Sequence, residues 1–349
     1  MTALPLLDDV AAAAEHCAYC PKLCRFTCPV ANETGRESVT PWGIDREITA
    51  AVARGSVTAQ TADAVYACTG CRACGSACLP GLDLPTHVRA ARAAVVETGI
   101  APEGAAEAVG RERAADTALL TGATPGADLV VFPGCASEDG AALAVLLTAA
   151  GIAWDVAHDA VCCGARSLDV GFAALGAEQA GRAKMALPPG GRLVVMDPHC
   201  ARQLAVDLGD ARVVTLPTLL AELAPALPLR PGDPVVWHDP CWLGRGMGEY
   251  DAARAVVLAA TGHDAVEPEF TRDRSRCTGG GMGFDQVFPV TADALRDTRV
   301  GDLRAAGADV LGVVTACPNA AARLRAGGLD AHDLAGWLAG RLTTTEEPR

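Results

Sequence analysis

The stretch "CAYCPKLCRFTCP" (residues 17–29) places four thiols within twelve residues and closes on Cys-Pro, and "CTGCRACGSACLP" (residues 68–80) repeats the arrangement. The spacings are Cys17-x2-Cys20-x3-Cys24-x3-Cys28 and Cys68-x2-Cys71-x2-Cys74-x3-Cys78. Thiols this dense form disulfides, bind metal or do redox work, and the compartment decides among these. The opening "MTALPLLDDV" has neither the basic start nor the apolar stretch of a secretory signal, and no run of eighteen uninterrupted apolar residues occurs. The chain is therefore expected to be cytoplasmic, reaching the inner face of a membrane only through a partner. In that reducing setting the cysteines read as metal ligands or redox thiols rather than structural disulfides.

Working outward, the chain has 349 residues, of which 50% are hydrophobic and 20% charged, enough for several domains with buried cores. A formal net charge of −13 disfavours a nucleic-acid partner. No dinucleotide fingerprint, G-x-S-x-G or H-E-x-x-H occurs. A flavin or nicotinamide would have to sit on another polypeptide.

The second run fits the bacterial ferredoxin pattern C-x2-C-x2-C-x3-C, with its proline displaced by Leu79; the first has one extra residue but keeps Cys28-Pro29. In that pattern the fourth cysteine of each run serves the other cluster. Three closely spaced thiolates cap three corners of a cube from one loop, and the fourth corner faces away. Cys17, Cys20, Cys24 and Cys78 are thus assigned to one [4Fe-4S] cluster, and Cys68, Cys71, Cys74 and Cys28 to another. The alternative is a zinc scaffold, since paired C-x2-C motifs also suit tetrahedral Zn2+. Ferredoxin order in both runs favours iron and sulfide, and two neighbouring cubanes serve single-electron traffic.

Residues 1–98 are expected to form a helical dicluster domain, with helices over "GIDREITAAVARG", "TAQTADAVYAC" and "PTHVRAARAAVVETG". Residues 99–126 read as a connecting helix ending in a Gly/Pro turn. From residue 127 short β-branched runs alternate with Ala-rich helical stretches, the signature of a parallel α/β sheet with sites at strand C-terminal ends. The texture then repeats. "LVVFPGC" (129–135) is echoed by "PVVWHDPC" (234–241), "VCCGA" (161–165) by "RCTGGG" (276–281), and "VVMDPHCARQL" (194–204) by "VVTACPNAAARL" (313–324). Three landmarks in one order indicate an internal duplication, with copies at 127–226 and 227–349. The fold class is α+β overall: a helical ferredoxin-like part, then a duplicated α/β region.

A strand-end cysteine, then "VCCGA", then a Pro-containing cysteine motif resembles the cysteine-rich CCG domain, and "HDPCWLGR" followed by "SRCTGGGMG" resembles a second copy. Together with the two four-thiol runs, nearly the whole chain resembles the family of D-type heterodisulfide reductase subunits. That family includes iron–sulfur subunits of glycolate oxidase, lactate-utilisation complexes and anaerobic glycerol-3-phosphate dehydrogenase. The resemblance implies a cysteine, a Cys-Cys-Gly and a Cys-x-x-Cys per copy, ligating an iron–sulfur cluster. Cys135, Cys162, Cys163 and Cys200 match in the first copy, where Asp197 replaces the cysteine opening the last pair. Cys241, Cys277 and Cys317 match in the second, where Thr278 and Ala320 replace the other two. The first copy is thus expected to hold one further cluster, with Asp197 or His199 as a supplementary ligand. The second is a degraded site, with His238 or Asp239 as the nearest substitutes.

The expected function is electron transfer within an oxidoreductase complex. The donor implied by the resemblance is a flavin-dependent dehydrogenase acting on a hydroxy acid, an amine or glycerol phosphate. The acceptor is the CCG site or a membrane or quinone-linked partner. The competing enzymatic reading is reduction of a disulfide at the CCG site. Arg245 and Arg276 flank the second site and would place positive charge there, while the glycines of "GGGMG" (279–283) would allow close backbone approach.

Overall fold

The computed structural model describes residues 4–110, 117–134, 139–157 and 161–343. They form two compact units, and neither is continuous in sequence. One combines Met1–Gly110 with Gly164–Glu178 and Arg276–Arg299; the other combines Arg111–Cys163, Gln179–Ser275 and Val300–Arg349. The division expected from sequence texture followed chain order. Compactness cuts differently, because the stretch after the paired-cysteine motif of each copy joins the N-terminal residues.

The first unit is helical. Its main helices are α1 (Asp8–Ala18), α2 (Pro29–Thr34), α3 (Pro41–Arg54), α4 (Ala59–Tyr66) and α5 (Leu84–Glu97). Their starts are written in the sequence. Thr40 accepts the Gly43 N–H at 3.0 Å to cap α3, with Pro41 at the first helical position. Thr58 and Thr61 form a reciprocal capping box on α4. On α5 the buried Leu84, Val88, Ala91 and Val95 recur at helical spacing. Each such Leu or Val contributes about 1.5–3 kcal/mol on burial. A second cluster joins Val30, Val39 and Ala67 to Phe284, Ala292 and Leu295 of the late segment.

The connecting helix expected over 99–126 is not continuous. Gly104 adopts φ 90°, and a Cβ there would lie 2.4 Å from the carbonyl oxygen of Gln286, so the chain turns at this point. Residues 111–116 lie outside the described residues, and helix resumes only over Thr117–Thr121.

The second unit carries two parallel sheets. The first has order β2-β1-β3-β4, from β1 (Leu129–Phe132), β2 (Trp154–Val156), β3 (Arg192–Val195) and β4 (Val213–Thr215). The second has order β5-β6-β7, from β5 (Val236–His238), β6 (Val313–Thr315) and β7 (Ala331–Asp333). Val266 makes a parallel bridge to Val236 on the far side of β5. That bridge occupies the place of β2, so the second sheet repeats the topology of the first. The duplication read from three sequence landmarks is thus repeated in the strand pairing. Leu129, Val131 and Val194 of one sheet and Trp237 and Val314 of the other enter a single apolar core. Alternate residues Val236 and Val313 pack with Leu303, Leu324 and Leu329 on the opposite face.

Candidate metal centres

Cys17 lies in the last turn of α1, and the Cys20 N–H bonds its carbonyl at 3.0 Å. The chain then passes through Lys22, which has φ 69°, into a short 3-10 turn over Leu23–Thr27. Cys28 is the N-cap of α2, with Pro29 at its first position, so the Cys-Pro pair ends the loop by starting a helix. In the second run Gly70 and Arg72 have φ 64° and 59°, and Cys74 leads into the turn Gly75–Ala77. Each loop therefore bends at one left-handed cationic residue, Lys22 or Arg72.

The loops exchange their fourth thiols. Cys17, Cys20, Cys24 and Cys78 line one open cavity of about 590 Å³, together with Tyr19, Trp42 and Leu79. Cys28, Cys68, Cys71 and Cys74 line a second, much smaller one of about 20 Å³. Burial pushes the Cys24 thiol up, with the nearby Cys78 adding. Burial likewise takes Cys28 up to about 12, with Cys71 and Cys68 adding. Cys74 is pushed well above the ordinary thiol range by burial and then by Cys68 and Cys71. Cys68 reaches about 11 through burial, opposed by Arg92.

Bare thiolates crowded this way repel one another. A group that takes four sulfurs and supplies positive charge relieves both burial and repulsion, so the chemistry of each four-thiol set suits a cubane. The thiols ring each cavity, and among the described residues no three His, Cys, Asp or Glu side chains converge on a single-ion site. Backbone N–H groups of Gly70 and Leu82 point at Cys68 and Cys78 Sγ at 3.4 Å each. Such bonds tune cluster potentials.

In the duplicated region Cys135 lies outside the described residues. Cys162, Cys163 and Cys200 are all buried, and Cys163 Sγ stands 3.2 Å from Cys200 Sγ. Gly134, with φ 73°, lets the end of β1 approach: a Cβ there would sit 3.1 Å from Cys200 Sγ. Asp197 caps the helix Pro198–Arg202 by accepting the His199 N–H at 2.7 Å. The His199 ring lies 4.3 Å from that of Trp242.

Of the second set, the structure brings Cys241 and Cys317 together in the second unit. Burial pushes Cys317 well above the ordinary thiol range, with Asp197 and then Cys241 adding. Cys277 belongs to the first unit, where its Sγ is 3.6 Å from Thr69 Oγ1 and accepts the Gly279 N–H at 3.3 Å. Thr278 and Ala320, which replace thiols, are buried.

One substitute ligand is corrected. Both Asp239 oxygens are engaged, by Trp237 Nε1 at 2.9 Å, Arg254 Nη1 and Nη2 at 2.8 and 2.9 Å, Thr271 Oγ1 at 3.0 Å and the Arg272 N–H at 2.7 Å. Burial alone would raise this carboxyl, but the bonds and charge of Arg254 hold it at about 2. Asp239 is a structural anchor with no lone pair to spare. His238 is buried at the end of β5. Arg245 bonds the carbonyls of Asp273 and Ser275 at 2.9 and 2.8 Å, so it braces a loop.

Sequence reasoning missed three groups. Asp45, 1% exposed, pairs with His87 Nδ1 at 2.9 Å and stands beside Cys17. Asp333, at the end of β7, is held well above the carboxylate range by burial and by the facing Asp139. Arg92 is wholly buried on α5. A signal existed only for the last, as a charge inside the apolar stripe of a helix.

The comparisons with known proteins meet this geometry. A 4Fe-4S dicluster domain is matched by residues 13–82, and the cysteine-rich CCG domain by 129–205 and again by 235–325. The chain belongs to the dicluster iron–sulfur proteins with two CCG domains. This dicluster protein is 31% identical over 319 residues to a "Probable membrane-anchored ferredoxin" of Chromohalobacter salexigens, covering 78% of the chain and 46% of the relative. It is 29% identical over 292 residues to the D-type subunit of the dihydromethanophenazine:CoB–CoM heterodisulfide reductase of Methanosarcina barkeri, covering 73% and 71%. It is 24% identical over 324 residues to the B-type subunit of the fumarate reductase (CoM/CoB) of Methanothermobacter marburgensis, covering 84% and 64%. The dicluster protein thus spans about half the length of the first of these relatives. No solved structure matches it. Among the described residues no helix is long and apolar enough to cross a membrane.

Proposed function

We propose that this chain is the electron-transfer subunit of an oxidoreductase complex, with Cys17, Cys20, Cys24 and Cys78 holding one [4Fe-4S] cluster and Cys68, Cys71, Cys74 and Cys28 the other. The observation that carries the reading is the exchange of Cys78 and Cys28 between two adjacent four-thiol cavities. When bound, such clusters take up and release one electron at a time. The chain's residues do the rest. Tyr19 and Leu79, 83% and 86% exposed, rim the open first cavity and present it to a partner. In the second set Cys71 is buried and Cys28, Cys68 and Cys74 are partly so.

By family likeness the donor is a flavin-dependent dehydrogenase and the acceptor a CCG-site cluster at Cys162, Cys163 and Cys200 or a quinone-linked membrane protein. Contact with a membrane would then run through that partner. Anaerobically purified full chain is expected to be brown, with about eight irons and as many acid-labile sulfides from the first two sites. Colourless protein containing zinc would end the reading.

Disulfide reduction at the CCG site has one observation of its own, the 3.2 Å approach of Cys163 to Cys200. It requires that reduced protein alone, given a low-potential donor, cleave a small disulfide. Inactivity without a partner favours the electron-transfer reading.

A further inference from the structure

Arg92 shares the buried face of α5 with Val88, Ala91 and Val95 and is fully excluded from solvent. A guanidinium has five N–H donors, and here all five are used. Nε bonds Val65 O at 3.0 Å, Nη1 bonds Asp169 O and Met282 O at 2.7 Å each, and Nη2 bonds Tyr66 O at 3.2 Å and Cys68 O at 2.8 Å. Every acceptor is a backbone carbonyl. The Asp169 carboxylate is taken by Arg89 at 2.6 Å, and among the described residues no carboxylate forms an ion pair with Arg92. The charge is solvated by dipoles, and the Asp169 carboxylate acts on it without a direct ion pair. A buried charge without an ion-pair partner is costly, so its retention needs a negative group that profits from it. The Cys68 thiol is that neighbour, because Arg92 Nη2 bonds the carbonyl of the same residue at 2.8 Å. The other set of thiols has the opposite companion: the buried Asp45 stands within hydrogen-bond reach of Cys17.

We propose that Arg92 is a positioning residue that sets the Cys68, Cys71, Cys74 and Cys28 site at a higher reduction potential than the Cys17, Cys20, Cys24 and Cys78 site. This rests on the reading that both sites hold [4Fe-4S] clusters. Reduction adds one negative charge, which a fixed cation in a low-dielectric interior favours and a fixed carboxylate resists. An electron arriving at the lower-potential site therefore moves on to the site beside Arg92. The same fork fixes Asp169 and Met282, which belong to the segments following the paired-cysteine motifs of the two copies. Met282 holds φ 52°, a rare angle for a side-chain-bearing residue, with its carbonyl pinned by Arg92.

The test is an EPR-monitored redox titration of the fully loaded chain, with iron and sulfide measured on the same samples. Two one-electron waves are expected. Arg92→Met should move the upper wave down until the reduced-to-oxidised ratio at the original midpoint has fallen about tenfold, or ~59 mV, and leave the lower wave in place. Arg92→Lys, which keeps charge but offers three donors, should shift it less. Asp45→Asn, with Arg92 intact, should raise the lower wave only. A shift of the lower wave by Arg92→Met, equal shifts for Met and Lys, or an upper wave raised by Asp45→Asn overturns the proposal. If Arg92→Met loses its second cluster, the Lys and Asp45 arms decide. A single wave with about four irons in the unaltered chain would instead overturn the two-cluster reading.

Discussion

Replacing Asp239 by Asn separates an anchor from a ligand. The carboxylate, 4% exposed, sits two residues before Cys241 and receives hydrogen bonds from Trp237, Arg254, Thr271 and the Arg272 backbone. Breaking a buried ion pair from one side costs about 3–5 kcal/mol. Asn keeps the shape and one acceptor oxygen but turns an NH2 toward donors, so about 3 kcal/mol is expected. For units of roughly 150–250 residues, each kcal/mol moves Tm by about 2–4 °C, which gives a fall of about 6–12 °C. Thermal unfolding followed by circular dichroism under argon, with iron measured on the same samples, reads both quantities. The anchor role requires a large fall in Tm at unchanged iron content. Iron lost at an unchanged Tm would refute the argument and make Asp239 a ligand after all.

Other outcomes follow from the same geometry. Cys78→Ala should alter the EPR signal that Cys20→Ala alters, and Cys28→Ala the signal that Cys71→Ala alters; ligand sets that follow chain order would show the reverse pairing. Gly171 holds φ 92°, and a Cβ there would lie 2.4 Å from the Arg92 carbonyl oxygen, so Gly171→Ala should cost more than about 1 kcal/mol and lower the denaturant midpoint. Glu249 is raised by burial, against hydrogen bonds from Thr215. A raised carboxyl contributes stability that is present below its unfolded value and lost as pH rises through the folded one. Relative to Glu249→Gln, the parent chain should therefore be more stable near pH 4 than near pH 7, as urea melts at the two pH values would show. Anaerobic chelation of iron should lower the melting temperature of the loaded chain, because crowded buried thiols then lose their compensating charge.

The cysteine runs were legible because loop-borne ligands are local: spacing alone put three thiols of each set on one loop. The exchange of Cys28 and Cys78 is expected from where a cube's fourth corner points, and the Cys28→Ala and Cys78→Ala variants test it. The two sheets showed through β-branched runs ending at cysteines, and even the reduced edge at Val266 keeps its place in the repeat. What could not be read were contacts between residues far apart in sequence. Tyr66 Oη donates to Val170 O at 2.8 Å across a separation of 104 residues, and nothing local announces it. Asp239 looked like a spare ligand because its neighbour is a cysteine. Its commitment to Arg254 is visible only once the helix Ala252–Thr261 is in place. Cys277 was grouped with Cys241 and Cys317 by motif, while folding put it beside Thr69.

The interleaving of the first unit bears on how such a chain can be inherited. Residues 1–98 alone would leave the Tyr66 hydroxyl and both Nη1 donors of Arg92 facing nothing, since their acceptors are Val170, Asp169 and Met282. A ferredoxin-like module that borrows its inner wall from later repeats cannot be cut out and spliced onto another enzyme as a cassette. Excising the cluster loops from this chain would strand these buried donors and lower the stability of the fragment.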